Sequence, residues 1–343
     1  MNIYRLLSFI SGKAPARLKI AGLLAMHIFR RRTIGVFLDP VLACNLRCRM
    51  CYFSCEDRRK EMHGKMQPEK LQQVQTSLYH RTLKLQIGCG AEPTLYSDLE
   101  GIVVQGRQSG IPYISLTTNG QLIASGKVDL MALVKAGLNE ITLSTHGTTK
   151  AVYENLMQGA SFERFQLLVG ILKDVKTSFP EFKIRINYTI NSLNIHDLTP
   201  EKFWGVWSEV TPDIIQLRPV QKLGETSWSD FNLEPLKENY SSTIAPLIEE
   251  CRRRGITCIA PTLDQIDEVA TSQDYVSSLL EDITYCYVSP TDCYKSDFHL
   301  GSDTYETFHS RVKTARRLQS AIFSNHAKSQ SRNTSKKLNY KVK

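Results

Sequence analysis

Cys44, Cys48 and Cys51 stand in the run Cys44-Asn45-Leu46-Arg47-Cys48-Arg49-Met50-Cys51. Three thiolates in one short loop can hold three irons of a [4Fe–4S] cluster and leave the fourth iron open to another ligand. An open iron beside a hydrophobic strand is a place for chemistry, whereas a fourth cysteine would close the cluster as an electron carrier. The spacing by itself establishes a soft-metal site with three ligands. Structural zinc is the rival, because Cys55 follows Cys51 and could close a four-cysteine site. Zinc sites usually pair one knuckle with a second farther along, and four cysteines within one loop depart from that pattern.

Short apolar runs alternate with helix-period segments around that loop. Residues 34–38 read as a strand leading into the cysteines. Further strands are expected at 83–87, 113–117, 141–144, 184–190 and 214–217. Between them lie helical patterns: one opened by Pro68, one after Asp98, one stopped by Gly137, and one from 162 to 175. A further helix runs from 200 to 210. Repeated strand–helix units without hairpin turns predict an α/β fold with a parallel sheet, a partial (β/α)6 TIM-like barrel carrying a small C-terminal extension. In parallel barrels the loops after the strands build the site.

The residues after the strands carry further signals. Gly88-Cys89-Gly90-Ala91-Glu92-Pro93 follows the second strand, Thr117-Thr118-Asn119-Gly120 the third, and Ser144-Thr145-His146-Gly147 the fourth. Glycines allow a ligand to touch backbone, and a carboxylate can accept from an ammonium. His146 reads as a turn residue more readily than as an acid or base. On the fifth strand Arg185, Asn187 and Thr189 share one face, which suits polar groups inside a barrel. Arg218 ends the sixth and could meet an anion.

The CxxxCxxC run with Tyr52 and Phe53 behind it resembles the signature of the radical S-adenosylmethionine superfamily, and Gly88–Glu92 resembles its GGEP motif, with Ala91 in place of a glycine. The resemblance implies a [4Fe–4S] cluster on Cys44, Cys48 and Cys51, with S-adenosylmethionine on the open iron. It implies reductive cleavage to a 5′-deoxyadenosyl radical that abstracts hydrogen from a substrate. It places Gly88, Gly90, Ala91 and Glu92 at the methionine end of the cofactor, and Thr118 or Asn119 and Ser144 toward the rest of it. Met50 stands where the family often has an aromatic residue against the adenine, with Tyr52 sharing that role. Arg185, Asn187 and Arg218 complete the cofactor-binding candidates. An electron donor such as flavodoxin or ferredoxin is the implied partner.

Nine cysteines in a chain without a signal-peptide pattern favour a reducing, cytoplasmic setting over a disulfide framework. The net charge of +9 is confined to the ends. Residues 1–32 hold seven basic residues and residues 326–343 six, with no acid in either, so residues 33–325 carry −4. A folded body without a basic excess disfavours a nucleic-acid substrate. Residues 1–32 read as an amphipathic helical segment packed on the core, with peripheral membrane contact through 16–32 as the alternative. Residues 33–235 form the expected barrel, 236–325 an extension, and 326–343 a disordered basic tail. The extension resembles the SPASM or twitch domain, which carries auxiliary clusters. Only Cys251, Cys258, Cys286 and Cys293 are available for one, and their spacings match no complete set. The chain is thus expected to be a radical S-adenosylmethionine enzyme of that branch. A peptide or protein side chain is the favoured substrate, with a carbohydrate, small metabolite or RNA as alternatives. A non-catalytic metal-binding scaffold is the competing class.

Overall fold

The structure, a computed structural model, describes residues 15–222, 225–266, 275–323 and 341–342. Its nine strands are β1 (Ile34–Leu38), β2 (Thr82–Ile87), β3 (Tyr113–Thr118), β4 (Glu140–Thr145), β5 (Lys183–Ile190), β6 (Ile214–Pro219), β7 (Thr257–Ala260), β8 (Tyr285–Val288) and β9 (Lys341–Val342). They form one sheet in the order β8-β1-β2-β3-β4-β5-β6-β7-β9. Strands β1 to β8 are parallel, and β9 adds an antiparallel pair to β7. The order is that of a parallel barrel opened between β7 and β8. The six expected strands are present. Two more parallel strands come from residues assigned above to the extension, so the strand–helix rhythm continues past Trp228.

Among the described residues the helices used below are α1 (Ala16–Ile28), α2 (Pro68–Leu78), α3 (Leu99–Gln108), α4 (Leu130–Ala136), α5 (Phe162–Ser178), α6 (Pro200–Val206), α7 (Ala245–Arg253), α8 (Tyr275–Thr284), α9 (Tyr305–Arg311) and α10 (Thr314–Phe323), with further short helices such as Glu56–Glu61 and Lys150–Leu156 between them. Local chemistry sets their ends. Asp98, Asp129 and Ser161 cap α3, α4 and α5 by accepting from Gly101, Ala132 and Arg164 N–H groups, and Gly137 ends α4 in the left-handed region. One face of the sheet buries Val36, Leu85, Leu116, Leu143, Ile186 and Leu217 against α2 to α6 in a single core. The other face is largely polar, and that asymmetry positions the site.

Helix α1 departs from the expected amphipathic pattern. Ile20 and Leu23 pack inward on α8 and α10, while Leu18, Ile28 and Phe29 face outward, so both faces are apolar. Arg32 is spent inside: its guanidinium donates to the carbonyls of Tyr79, Thr82 and Ser109. Glu306 of α9 pairs with His80 and with the buried Arg81, fastening the C-terminal helices to the base of β2. The expected disordered tail lies outside the described residues apart from β9. Among the described residues no helix is long and apolar enough to cross a membrane.

Candidate functional site

The loop after β1 carries the three cysteines and is stitched to its neighbours on every side. Arg47 and Arg49 N–H groups donate to the carbonyls of Gln158 and Leu156, and Glu92 N–H to that of Ala43. Ser54 Oγ donates to Cys51 O, and Thr226 Oγ1 to Arg49 O, so segment 226–228 closes over the loop. Burial pushes the Cys44 thiol up to about 12 and the Cys48 and Cys51 thiols above their usual range. Buried thiols need a compensating positive charge to act as thiolates, and a bound metal cluster is such a charge. Among the described residues no three Cys, His, Asp or Glu side chains converge on a single-ion site. Around a four-iron cluster each thiolate takes a different iron, and the sulfurs stand apart. The donor set fits the cluster.

The loop after β2 is built for close approach to the cysteines. Gly88 has φ +85°, and a side chain there would strike the Thr117 carbonyl oxygen at 2.4 Å. At Gly90 an added Cβ would meet the Tyr52 hydroxyl at 2.4 Å, because Tyr52 reaches across and donates to the Gly90 carbonyl. Ala91 does not occupy the left-handed region, so the position that departs from the family motif carries no strain. Asp39, fully buried directly after β1, accepts from Cys89 N–H (2.7 Å), Gly90 N–H (2.9 Å) and Tyr287 OH (2.9 Å). Asp39 thereby ties β1, the glycine loop and β8 together.

Glu92 is engaged within the chain. Its Oε1 accepts from Thr94 N–H, Thr94 Oγ1 and Thr118 Oγ1 (3.2, 2.5 and 2.7 Å), and its Oε2 from Asn119 N–H (2.9 Å). Burial raises its pKa, and these bonds work in the opposite sense. Asn119 in turn donates through Nδ2 to Asn45 Oδ1 at 2.9 Å, so the ends of β2 and β3 and the cysteine loop form one unit. Met50 is also engaged within the chain. Its Sδ accepts from Asn191 Nδ2 at 2.8 Å, and its side chain packs with Leu156, Val220 and Trp228.

Strand register brings Ser144, Asn187 and Gln216 side by side across β4, β5 and β6. Thr189 stands opposite Arg218, and Arg185 donates to Gln216 Oε1. Asn187 Oδ1 and Gln216 Nε2 are buried without a hydrogen-bond partner, a costly state that a bound polar ligand would relieve. These orphaned atoms fit a polar cofactor or substrate lying across the polar face. His146 is a structural acceptor: its Nδ1 takes the Thr189 N–H, and burial lowers its pKa to about 4. Lys84, deeper on the same face, is driven downward in pKa by burial.

Asp39, Gln216, Tyr287 and Trp228 were not among the residues expected at the site. Gln216 had a signal, a lone amide inside the apolar run Ile214-Ile215-Gln216-Leu217. The four C-terminal cysteines fall into two pairs, Cys251 with Cys258 on α7 and β7, and Cys286 with Cys293 at β8, and β7 does not pair with β8.

Residues 39–204 match the model of the radical SAM superfamily. A probable GTP 3′,8-cyclase of Metallosphaera sedula is 31% identical over 191 residues, covering 54% of this chain and 56% of that protein. One of Methanococcus vannielii is 31% identical over 229 residues, covering 66% of this chain and 69% of that protein. The chain thus spans little more than half the length of several of these relatives. The crystal structure of Streptococcus suis SuiB bound to S-adenosylmethionine shares the fold, with a TM-score of 0.59 at 15% identity over 88% of this chain and 70% of that one. The match spans the cysteine loop and the strand ends that enclose it, and the chain belongs to the radical SAM superfamily, a family of enzymes.

Proposed function

We propose that this enzyme abstracts a hydrogen atom from a small polar metabolite held against the polar face of β4 to β6. A [4Fe–4S] cluster on Cys44, Cys48 and Cys51, with S-adenosylmethionine at its open iron, would supply the one-electron chemistry. The chain's own residues do the rest. Asp39 and Glu92 hold the glycine loop against the cysteines, and Tyr52 closes over Gly90. Segment 226–228 covers the loop and limits water. Asn187 and Gln216 offer an acceptor and a donor for the ligand's polar edge.

The orphaned pair Asn187 and Gln216 is the observation that carries the reading, because an apolar side chain would leave both unsatisfied. The sequence relatives favour the small-metabolite alternative over the peptide side chain expected above. The likeness to SuiB, at 15% identity, speaks for fold alone. A low-potential carrier such as flavodoxin or ferredoxin is the proposed electron donor.

The test is anaerobic reconstitution with iron and sulfide, then dithionite and S-adenosylmethionine. 5′-Deoxyadenosine should accumulate slowly and vanish in Cys48→Ala. Adding GTP, and then a panel of phosphorylated and hydroxylated metabolites, should accelerate it, and acceleration by an unmodified peptide alone would overturn the substrate class.

A further inference from the structure

Helix α1 is apolar on two opposite faces. At 3.6 residues per turn, Leu18, Gly22, Ala25 and Phe29 fall within about 60° of one another, opposite the buried Ile20 and Leu23. No charge interrupts that outer stripe. Leu18 is 64% exposed, Phe29 72% and Ile28 57%. A contiguous apolar stripe left on the surface marks a face that another surface covers. The partner helix α10 ends on Phe323, itself exposed. The stripe adjoins Arg30 and Arg31, both exposed and in no ion pair among the described residues.

We propose that this face seats on an anionic phospholipid surface, with the α1 stripe sunk among the acyl chains and Arg30 and Arg31 against the headgroup phosphates. Charge selects this occupant. Residues 1–32 hold seven basic residues and no acid, whereas residues 33–325 carry −4. A second copy of the chain seated on the same stripe would bring four arginines together with no carboxylate in residues 1–32 to offset them. Docking of residues 1–14 would add Arg5 and Lys13 and no acid. A lipid surface supplies the missing negative charge and the missing apolar cover at once. At 13 residues α1 is about 20 Å long, short of the roughly 30 Å hydrocarbon core, so it lies along the surface.

The full chain is mixed with phosphatidylcholine vesicles, with or without phosphatidylserine, and sedimented. Binding is expected to the phosphatidylserine vesicles and to be released by high salt. Leu18→Ser with Phe29→Ser should weaken it by about tenfold or more, and Arg30→Glu with Arg31→Glu by about tenfold. Both double variants should melt as the parent does, since the altered side chains are exposed. Failure to sediment with either vesicle, or binding indifferent to Leu18→Ser with Phe29→Ser, overturns the proposal. So does a lipid-free dimer that the same apolar variant dissolves, which would make the stripe an interface between copies.

Discussion

Glu92, on the loop after β2, accepts a hydrogen bond from Thr118 Oγ1 at the end of β3, 2.7 Å away. That bond and its three companions commit the carboxylate to joining two strand ends beneath the cysteine loop. Glu92→Ala should therefore strand several buried donors and cost about 2–4 kcal/mol of stability. Thr118→Val should cost less, about 1 kcal/mol. Urea unfolding of the holoenzyme checks both, and an unchanged midpoint in Glu92→Ala would mean that the carboxylate serves a ligand instead.

Gly90 and Tyr52 make a reciprocal pair. Gly90→Ala places a methyl group 2.4 Å from the Tyr52 hydroxyl but 3.7 Å from its ring, so the clash is with the hydroxyl. The single variant should retain less iron after anaerobic purification. Adding Tyr52→Phe should restore part of it, with a coupling of about 1 kcal/mol or more in a double-mutant cycle on stability. Independent, additive losses would contradict the contact.

Asn187 separates binding from folding. Its buried Oδ1 has no partner, so Asn187→Leu should leave stability within about 1 kcal/mol of the parent or raise it. The same change should weaken S-adenosylmethionine or substrate binding by about tenfold, read by equilibrium dialysis. Loss of stability with unchanged binding would show that Asn187 is part of the fold's own network.

Much of this arrangement was legible in the residues. The cysteine spacing and six strand positions follow from period and composition, and the glycine loop falls where the second strand ends. Strands β7 and β8 lie in residues assigned to the C-terminal extension, so their place in the parallel sheet was not legible from the strand–helix period. The outer stripe of α1 was hidden by its inner one, since both obey helical spacing. Arg32 was counted only as part of the basic N-terminal segment, yet it satisfies three backbone carbonyls. Glu92 was placed in the right loop, but its role depends on Thr118 and Asn119, donors 26 and 27 residues away.

Two buried histidines make stability fall with acid. Burial holds His309 at about 3 and His146 at about 4, both below the unfolded value. The unfolded chain gains their protons as pH drops below about 6.5, while the native chain does not, so stability is full above that value and falls with acid. Each contributes about 1.4 kcal/mol per pH unit across that window. His309→Gln should flatten the slope of unfolding free energy between about pH 6 and pH 4 by that amount. An unchanged slope would mean that His309 is protonated in the native state.

Metal analysis of anaerobically reconstituted protein, read with electron paramagnetic resonance after dithionite, bears most directly on the central claim. Close to four irons per chain are expected, with a reduced-cluster signal that shifts when S-adenosylmethionine is added, and both should be lost in Cys48→Ala. One zinc per chain, held with Cys55 as fourth ligand and indifferent to S-adenosylmethionine, would contradict it.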